Sequence, residues 1–255
     1  MTSIVDRYFE TLAARLEHVR TTQAGSIERA AEACARSIAA DKLVFTFGTG
    51  HGALPALETF PRTGTIVGFR PIVESTMISF HRVWGDMGAR QYRFIHALEG
   101  YGRAILRSHQ LDPADAMILS SHSGVNAVIL DIALGCKEAG LTVIGVTSLP
   151  HSSASPSRHS SGKKLFEVAD IVVDTGAPLA DASIRIEGLD APVGASSTSV
   201  TIAIAQAIVA TTAEKLVQRG VQPMVMVNPN TADKASANAA NDRNYDELWR
   251  RLKAR

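Results

Sequence analysis

Twice in this chain a short run of apolar and β-branched residues stops at a glycine- or serine-rich turn and passes into a helical pattern. Lys42-Leu43-Val44-Phe45-Thr46-Phe47 reaches Gly48-Thr49-Gly50-His51-Gly52 and then a helix expected over Ala53 to about Phe60. Asp115-Ala116-Met117-Ile118-Leu119-Ser120 reaches Ser121-His122-Ser123-Gly124 and a helix expected over Asn126 to Ala139. A third run, Leu141 to Val146, ends in Thr147-Ser148, and a fourth spans Ala169 to Asp174. Short strands that are apolar on both faces and alternate with helices need cover on both sides. The expected fold is therefore α/β, a doubly wound, mostly parallel, five-stranded sheet flanked by helices.

Around that pattern the chain reads as a single unit of 255 residues, with a core over about 30–220. Residues 1–29 form a helical N-terminal extension. The apolar spacing of Ile4, Tyr8, Leu12, Leu16 and Val19, and then Ile27, Ala30, Ala31, Cys34 and Ile38, predicts two helices that break near Gly25-Ser26. The last long helix is expected from about Ser197 to Arg219 with Gly220 as its cap, and the tail over 221–255 should close in a short helix, Tyr245 to Lys253. His151 to Ser161 reads as a serine-rich loop, either a connector or a lid over a site. Gly64 to Tyr92, mixed in character, yields no structural expectation.

Composition narrows the function. The 26 basic and 25 acidic residues nearly cancel, so no net field draws the protein to nucleic acid or to an anionic membrane. A hydrophobic content of 45% suffices for a large core. Cys34 and Cys136 each sit inside an apolar helical pattern and read as small core residues of a reducing compartment. The acidic N-terminus has no signal-like apolar stretch, and no run of about 18 uncharged apolar residues stands out, so a cytoplasmic location without a membrane span is expected.

In a parallel sheet, ligands gather at the carboxyl ends of the strands. At Ser121, Ser123 and Gly124 the chain leaves a strand, offers hydroxyls and a glycine turn, and starts a helix whose free amides and dipole favour an anion. A phosphate needs no lysine there, His122 lies within the turn, and Asn126 could add an amide donor. Ser148, at the next strand end, is expected to face the same crevice. Ser196, Ser197 and Thr198 at the start of the last helix either donate to phosphate or only cap that helix.

The stretch MILSSHSGVNAVILDIALGCKEAGLTVIGVTS resembles the core signature of SIS (sugar isomerase) domains, whose Ser-x-Ser-Gly-x-Thr-like turn binds the phosphate of a sugar phosphate. Asn126 stands where that threonine usually is. Together with GTGHG, SRHSSGKKLFEVADIVVD and VGASSTS, it is similar to a bacterial branch of SIS-domain proteins related to phosphoheptose isomerases. The resemblance implies a phosphosugar ligand, sugar contacts at Gly48, Thr49 and Gly50, His51 in the same crevice, and a homodimer or homotetramer. The alanine-rich faces of helices 27–40 and 201–213 suit such close packing.

Gly48-x-Gly50 after a strand also looks like half of a dinucleotide fingerprint. Its third glycine falls at Ala53, and no strand ending in an acid follows about twenty residues on, since Glu74 comes after Pro71 in a poor strand. No cofactor is expected. Among eight histidines none pair at i, i+4 and no Cys/His cluster occurs, so no metal is expected, although His51, His81, His122 and His159 could meet in space.

An aldose–ketose isomerase needs a base to move a proton between neighbouring carbons and an acid for the sugar oxygens. Glu58 is the first choice of base, set among Leu54, Leu57 and Phe60 at a place resembling the active-site glutamate of phosphoheptose isomerases; a surface helix glutamate is the plain alternative. Glu74 is the reserve, and His51 or His122 could serve as acid. The expected function is an isomerase acting on a sugar phosphate, with a phosphosugar lyase or deaminase, or a non-catalytic sugar-phosphate sensor, as the other readings.

Overall fold

The computed structural model describes residues 2–78, 88–230 and 233–254. Five strands, β1 (Val44–Gly48), β2 (Phe69–Pro71), β3 (Ala116–Ser120), β4 (Thr142–Thr147) and β5 (Ile171–Asp174), make one sheet in the order β2-β1-β3-β4-β5. Every pairing is parallel, with Thr46 beside Ile118 and Ile118 beside Ile144 in the middle of the sheet. Residues of β1, β3 and β4 are buried almost throughout, as their lack of apolar/polar alternation requires.

Helices α1 (Ile4–Thr22) and α2 (Ala24–Ala39) precede the sheet. The break between them falls at Gln23, two residues before the expected glycine, and α1 opens on a reciprocal Ser3/Asp6 capping box. Between β1 and β3 come α3 (Ala53–Leu57), α4 (Ser75–Ile78), α5 (Gly88–Ile95) and α6 (Tyr101–Leu106). Then follow α7 (Ala127–Glu138), α8 (Leu149–Ala154), α9 (Leu165–Val168), α10 (Ser197–Gln218) and α11 (Lys234–Lys253). From β1 the chain winds one way to β2 and then the other way through β3, β4 and β5. Right-handed crossovers therefore send α3 to one face and α7 to the other. α2 and α10 join α3, while α6 and α9 pack with α7.

Several elements differ from the sequence reading. The fifth strand is Phe69–Pro71, in the segment whose structure could not be assigned; three residues ending in proline carry too little pattern to stand out. α3 stops at Leu57 instead of continuing to Phe60. The start of the serine-rich loop is helical as α8, because Ser148 caps it and Pro150 fits its first turn. The C-terminal helix is 20 residues long, not a short turn from Tyr245, and Asp233 caps its start by accepting from the Ser236 amide.

The alanine-rich faces of α2 and α10 are used within the chain. Ala30, Ala31, Cys34 and Ile38 meet the side of α10 that buries Val200, Ile204, Ile208 and Leu216. α10 is also, among the described residues, the one helix long and apolar enough by length and composition to cross a membrane. Both cysteines are buried and free, and burial pushes each thiol up to about 12.

Candidate functional site

The order 2-1-3-4-5 places the topological switch between β1 and β3, where the connections leave in opposite directions and a crevice must open at the carboxyl ends. A cleft of about 330 Å³ lies there. β1 supplies Thr49, His51 and Gly52; the turn after β3 supplies Ser121, His122, Ser123 and Asn126; α10 supplies Ser197 and Thr198. Tyr92 of α5 and Asp181, from the segment between β5 and α10, complete the polar lining.

The turn after β3 is fixed by β4. Ser121 N donates to Val146 O at 3.0 Å, Ser148 N to His122 O at 3.1 Å, and Leu165 N to Gly124 O at 2.8 Å. Ser121 Oγ accepts the Gly124 amide at 3.1 Å, which leaves its own proton free to be donated. Gly124 has φ +62°, and a Cβ there would meet Thr147 Oγ1 at 2.9 Å and Ser152 Oγ at 3.1 Å, so only glycine suits the turn. Asn126 holds the N-cap position of α7 with extended backbone but makes no capping hydrogen bond; its Oδ1 accepts from Arg158 Nη1 at 3.3 Å.

His122 is the unusual member of the turn. Both ring nitrogens are buried without a hydrogen-bond partner, an expensive state for a polar ring. Its ring lies 4.4 Å from that of His151. Burial, then the neighbouring His151, lower the His122 pKa below the usual imidazole range, against a smaller pull from Asp181. Burial likewise lowers His151, whose Nδ1 accepts the Ala180 amide at 3.1 Å.

Asp181 faces this pair from the other wall. Its carboxylate accepts Ser196 N at 3.0 Å, Ser197 N at 2.8 Å and Ser197 Oγ at 2.6 Å, filling the N-terminus of α10 with a built-in anion. Ala180 and Asp181 both have φ +67°, a strained conformation for residues with a Cβ. Burial alone would raise the Asp181 pKa, but the Ser197 hydroxyl, the two amides and His122 outweigh it and hold the carboxyl below its ordinary range. Among the described residues that line the cleft, Asp181 is the sole carboxylate and no lysine or arginine occurs.

Thr49, His51, Ser121, His122, Ser123, Asn126, Ser197 and Thr198 are thus brought together as expected, with Gly124 shaping the turn beneath. Other expected residues lie elsewhere. Glu58 does not line the cleft: α3 ends at Leu57, and the half-buried Glu58 carboxylate pairs with Arg62. Glu74 lines a separate hollow beside β2, where its carboxylate accepts from the Thr76 hydroxyl at 2.8 Å. Ser148 is fully buried as the cap of α8, accepting His151 N and donating to Ala177 O at 2.6 Å, so it does not face the crevice.

Ser196 likewise lies beneath the surface, its amide spent on Asp181 and its hydroxyl buried without a partner. Gly48 and Gly50 do not line the cleft either. A Cβ on Gly48 would lie 1.9 Å from the Gly52 carbonyl oxygen, so internal packing of the turn explains that glycine. Among the described residues no group of three His, Cys, Asp or Glu side chains could hold a metal ion, and His81 lies outside the described residues.

Two lining residues escaped the sequence reading. Tyr92 lies at the end of the unassigned segment; its hydroxyl donates to Thr49 Oγ1 at 3.4 Å, its ring stacks on His96 at 4.6 Å, and burial raises its pKa. Asp181 belongs to no motif, and the positive φ that aims it at α10 leaves no trace in residue type.

The model of the SIS domain matches residues 7–148, more than half of the chain, from within α1 to the Ser148 cap of α8. The chain belongs to the SIS-domain family. A UPF0309 protein of Halalkalibacterium halodurans is 31% identical, over 97% of this chain and 98% of its own length. One from Brucella anthropi is 34% identical over 89% of this chain and 90% of its own. Among solved structures, a phosphoheptose isomerase from Neisseria gonorrhoeae superimposes with a TM-score of 0.55 at 14% identity, covering 82% of this chain and 97% of that one. The sugar isomerase domain of an RpiR transcription factor from Sphaerobacter thermophilus gives 0.51 at 18%, covering 86% and 94%. At such identities these two share the SIS fold with this chain, and the geometry of the cleft must carry the rest.

Proposed function

We propose that this SIS domain binds a sugar phosphate in the cleft between β1 and β3 and isomerises it between aldose and ketose. The observation that carries the proposal is the Ser121–Asn126 turn: fastened to β4, ending in the uncapped start of α7, and holding an imidazole with no partner for either nitrogen. A phosphate monoester supplies the acceptors this turn lacks. Ser121 Oγ, Ser123 and the first amides of α7 donate to it, and so does the N–H of the His122 imidazole.

The sugar then extends toward Thr49, His51, Tyr92 and Asp181. With Glu58 engaged by Arg62, the groups placed to move protons are His51, His122 and Asp181. In the isomerisation one proton leaves the carbon beside the carbonyl for a carboxylate or neutral imidazole and returns to the neighbouring carbon, while the sugar oxygens exchange theirs, so mass is conserved.

The test is incubation with a panel of aldose and ketose phosphates in D2O, followed by NMR and mass spectrometry. Deuterium at the carbon beside the carbonyl, with conversion to an isomer of the same skeleton, is expected, together with loss of binding and turnover in Ser121→Ala/Ser123→Ala. A product of lower mass would show a lyase or deaminase instead. Binding without exchange would show a sensor, and no binding of any phosphorylated sugar would refute the site.

A further inference from the structure

Arg70 lies in the middle of the edge strand β2, opposite Phe45 of β1. Its Nε is buried without a hydrogen-bond partner, and no carboxylate pairs with it among the described residues. Arginines that are well covered elsewhere in the molecule have their charge answered: Arg251 by Glu247, Arg219 by Glu32, Arg103 by Glu138. Arg15 also has a buried, unpartnered Nε, but its Nη1 donates to Gly176 O at 2.9 Å. Arg70 is partly exposed and only its Nε is cut off from water, and a buried N–H with neither carboxylate nor carbonyl carries a desolvation cost that an added acceptor would offset.

The space around it is built for such an occupant. Two hollows, of about 360 Å³ and 390 Å³, share Arg70, Ser108 and His109 as a common wall. The larger runs from Phe45 to the end of α11, where Trp249, Leu252 and Lys253 form its outer side. Its volume falls within the range of about 300–1,000 Å³ typical of small-molecule sites. α11 is anchored there by Arg250 on Asp41 and by Arg251 Nη1 on the Ile38 and Lys42 carbonyls.

The chemistry of the walls is specific. Trp249 is 60% exposed, and the Lys253 ammonium lies 6.0 Å from its ring centre without a carboxylate partner among the described residues. His109 lies edge-on to Phe45 at 6.0 Å, and burial, then the charge of Arg70, lower its pKa below the usual imidazole range. Glu74, in the smaller hollow, is held by Thr76 and makes no ion pair with Arg70. Two cations with no carboxylate partner among the described residues, a hydroxyl, and an indole presenting a flat apolar face thus border one groove. No residue lines both this groove and the cleft between β1 and β3.

We propose that the groove beside β2 is a second ligand site that takes a nucleoside phosphate, with its phosphates on Arg70 and Lys253 and its base against Trp249. A bare inorganic anion would leave the indole and Leu252 uncovered, and an uncharged aromatic would leave Arg70 unanswered. The phosphate binds through charge-assisted hydrogen bonds, and the base through stacking.

Isothermal titration of the full chain with ADP, adenosine and inorganic phosphate tests this. ADP is expected to bind at least about tenfold more tightly than either fragment, since each fragment forgoes charge-assisted or stacking contacts. Arg70→Met should weaken ADP at least about tenfold, and Trp249→Ala about fivefold. Arg70→Met should also unfold no earlier on heating than the unaltered chain without ligand, because a buried N–H without a partner is removed. Lys253→Gln, on the last turn of an exposed helix, gives a second charge variant whose folding is not at risk. Ser121→Ala/Ser123→Ala should leave ADP binding unchanged. No heat from about 1 mM ADP at low salt, wild-type ADP affinity in all three groove variants, or loss of ADP binding in the cleft variant would each overturn the proposal.

Discussion

The cleft between β1 and β3 and the groove beside β2 are both equipped for an anion, and they differ in what does the attracting. In the cleft the donors are hydroxyls, backbone amides and an imidazole, and the one formal charge, Asp181, is negative. In the groove the donors are two cations without carboxylate partners among the described residues, and the walls are aromatic and aliphatic. Oriented dipoles recognise an anion by geometry at short range, so the cleft must be rigid, and the many backbone bonds that fix its turn make it so. Free charges recognise an anion from farther away and with looser geometry, at the cost of sensitivity to salt.

Salt gives the largest expected contrast. Raising ionic strength from about 0.05 M to about 0.5 M shortens the screening length severalfold, and ADP affinity for the groove should fall about tenfold or more. Sugar-phosphate affinity for the cleft should fall less than about threefold over the same range, because dipoles facing an enclosed anion are poorly screened. Calorimetry at three salt concentrations reads both. Equal slopes would mean that the two sites do not work by different physics.

The two regions were also unequally legible in the sequence. The cleft's serine turn shows itself as Ser120 to Gly124 because strand, turn and helix start are contiguous, and Gly124 records a positive φ in its residue type. What the sequence hid was assembled from afar. Asp181 lies 60 positions beyond Ser121 and reaches the cleft through two strained residues that are not glycine. Glu58 misled because its apolar neighbours suggested burial; the helix ends one residue earlier and Arg62, four residues on, claims the carboxylate. Ser148 misled because an N-cap and a ligand contact call for the same residue type. The groove was illegible altogether, since Arg70, His109 and Trp249 come from three separate segments and only tertiary packing leaves the arginine unanswered.

The next contrast is Asp181→Asn, which removes the charge from the cleft while keeping a carbonyl for the α10 amides. A carboxylate sharing a cleft of about 330 Å³ with a phosphate opposes it by roughly 1 kcal/mol, so inorganic phosphate and sugar phosphate should bind about fivefold more tightly to the variant. Turnover should fall at the same time, because the carboxylate no longer moves protons, so kcat and KM fall together. ADP binding at the groove should not change. Weaker phosphate binding in Asp181→Asn would mean that Asp181 matters through the shape of its loop and not through its charge.

The smallest effect is on stability as a function of pH, and it too divides between the regions. His122 in the cleft, His151 beside it and His109 in the groove all have folded-state pKa values lowered by burial from about 6.5. The unfolded chain therefore binds protons that the folded one refuses, and this stability is fully present above about pH 6.5 and is lost as pH falls toward the folded values. Asp181, also lowered, acts in the same direction but below about pH 4. Thermal midpoints should drop by a few degrees between about pH 7 and about pH 5. His109→Asn and His122→Asn should each flatten part of that slope. A bound anion raises the pKa of the imidazole beside it, so ADP should flatten the part owed to His109 and a sugar phosphate the part owed to His122. If either ligand flattened both parts, the sites would be coupled through the strands β1 and β2 that lie between them.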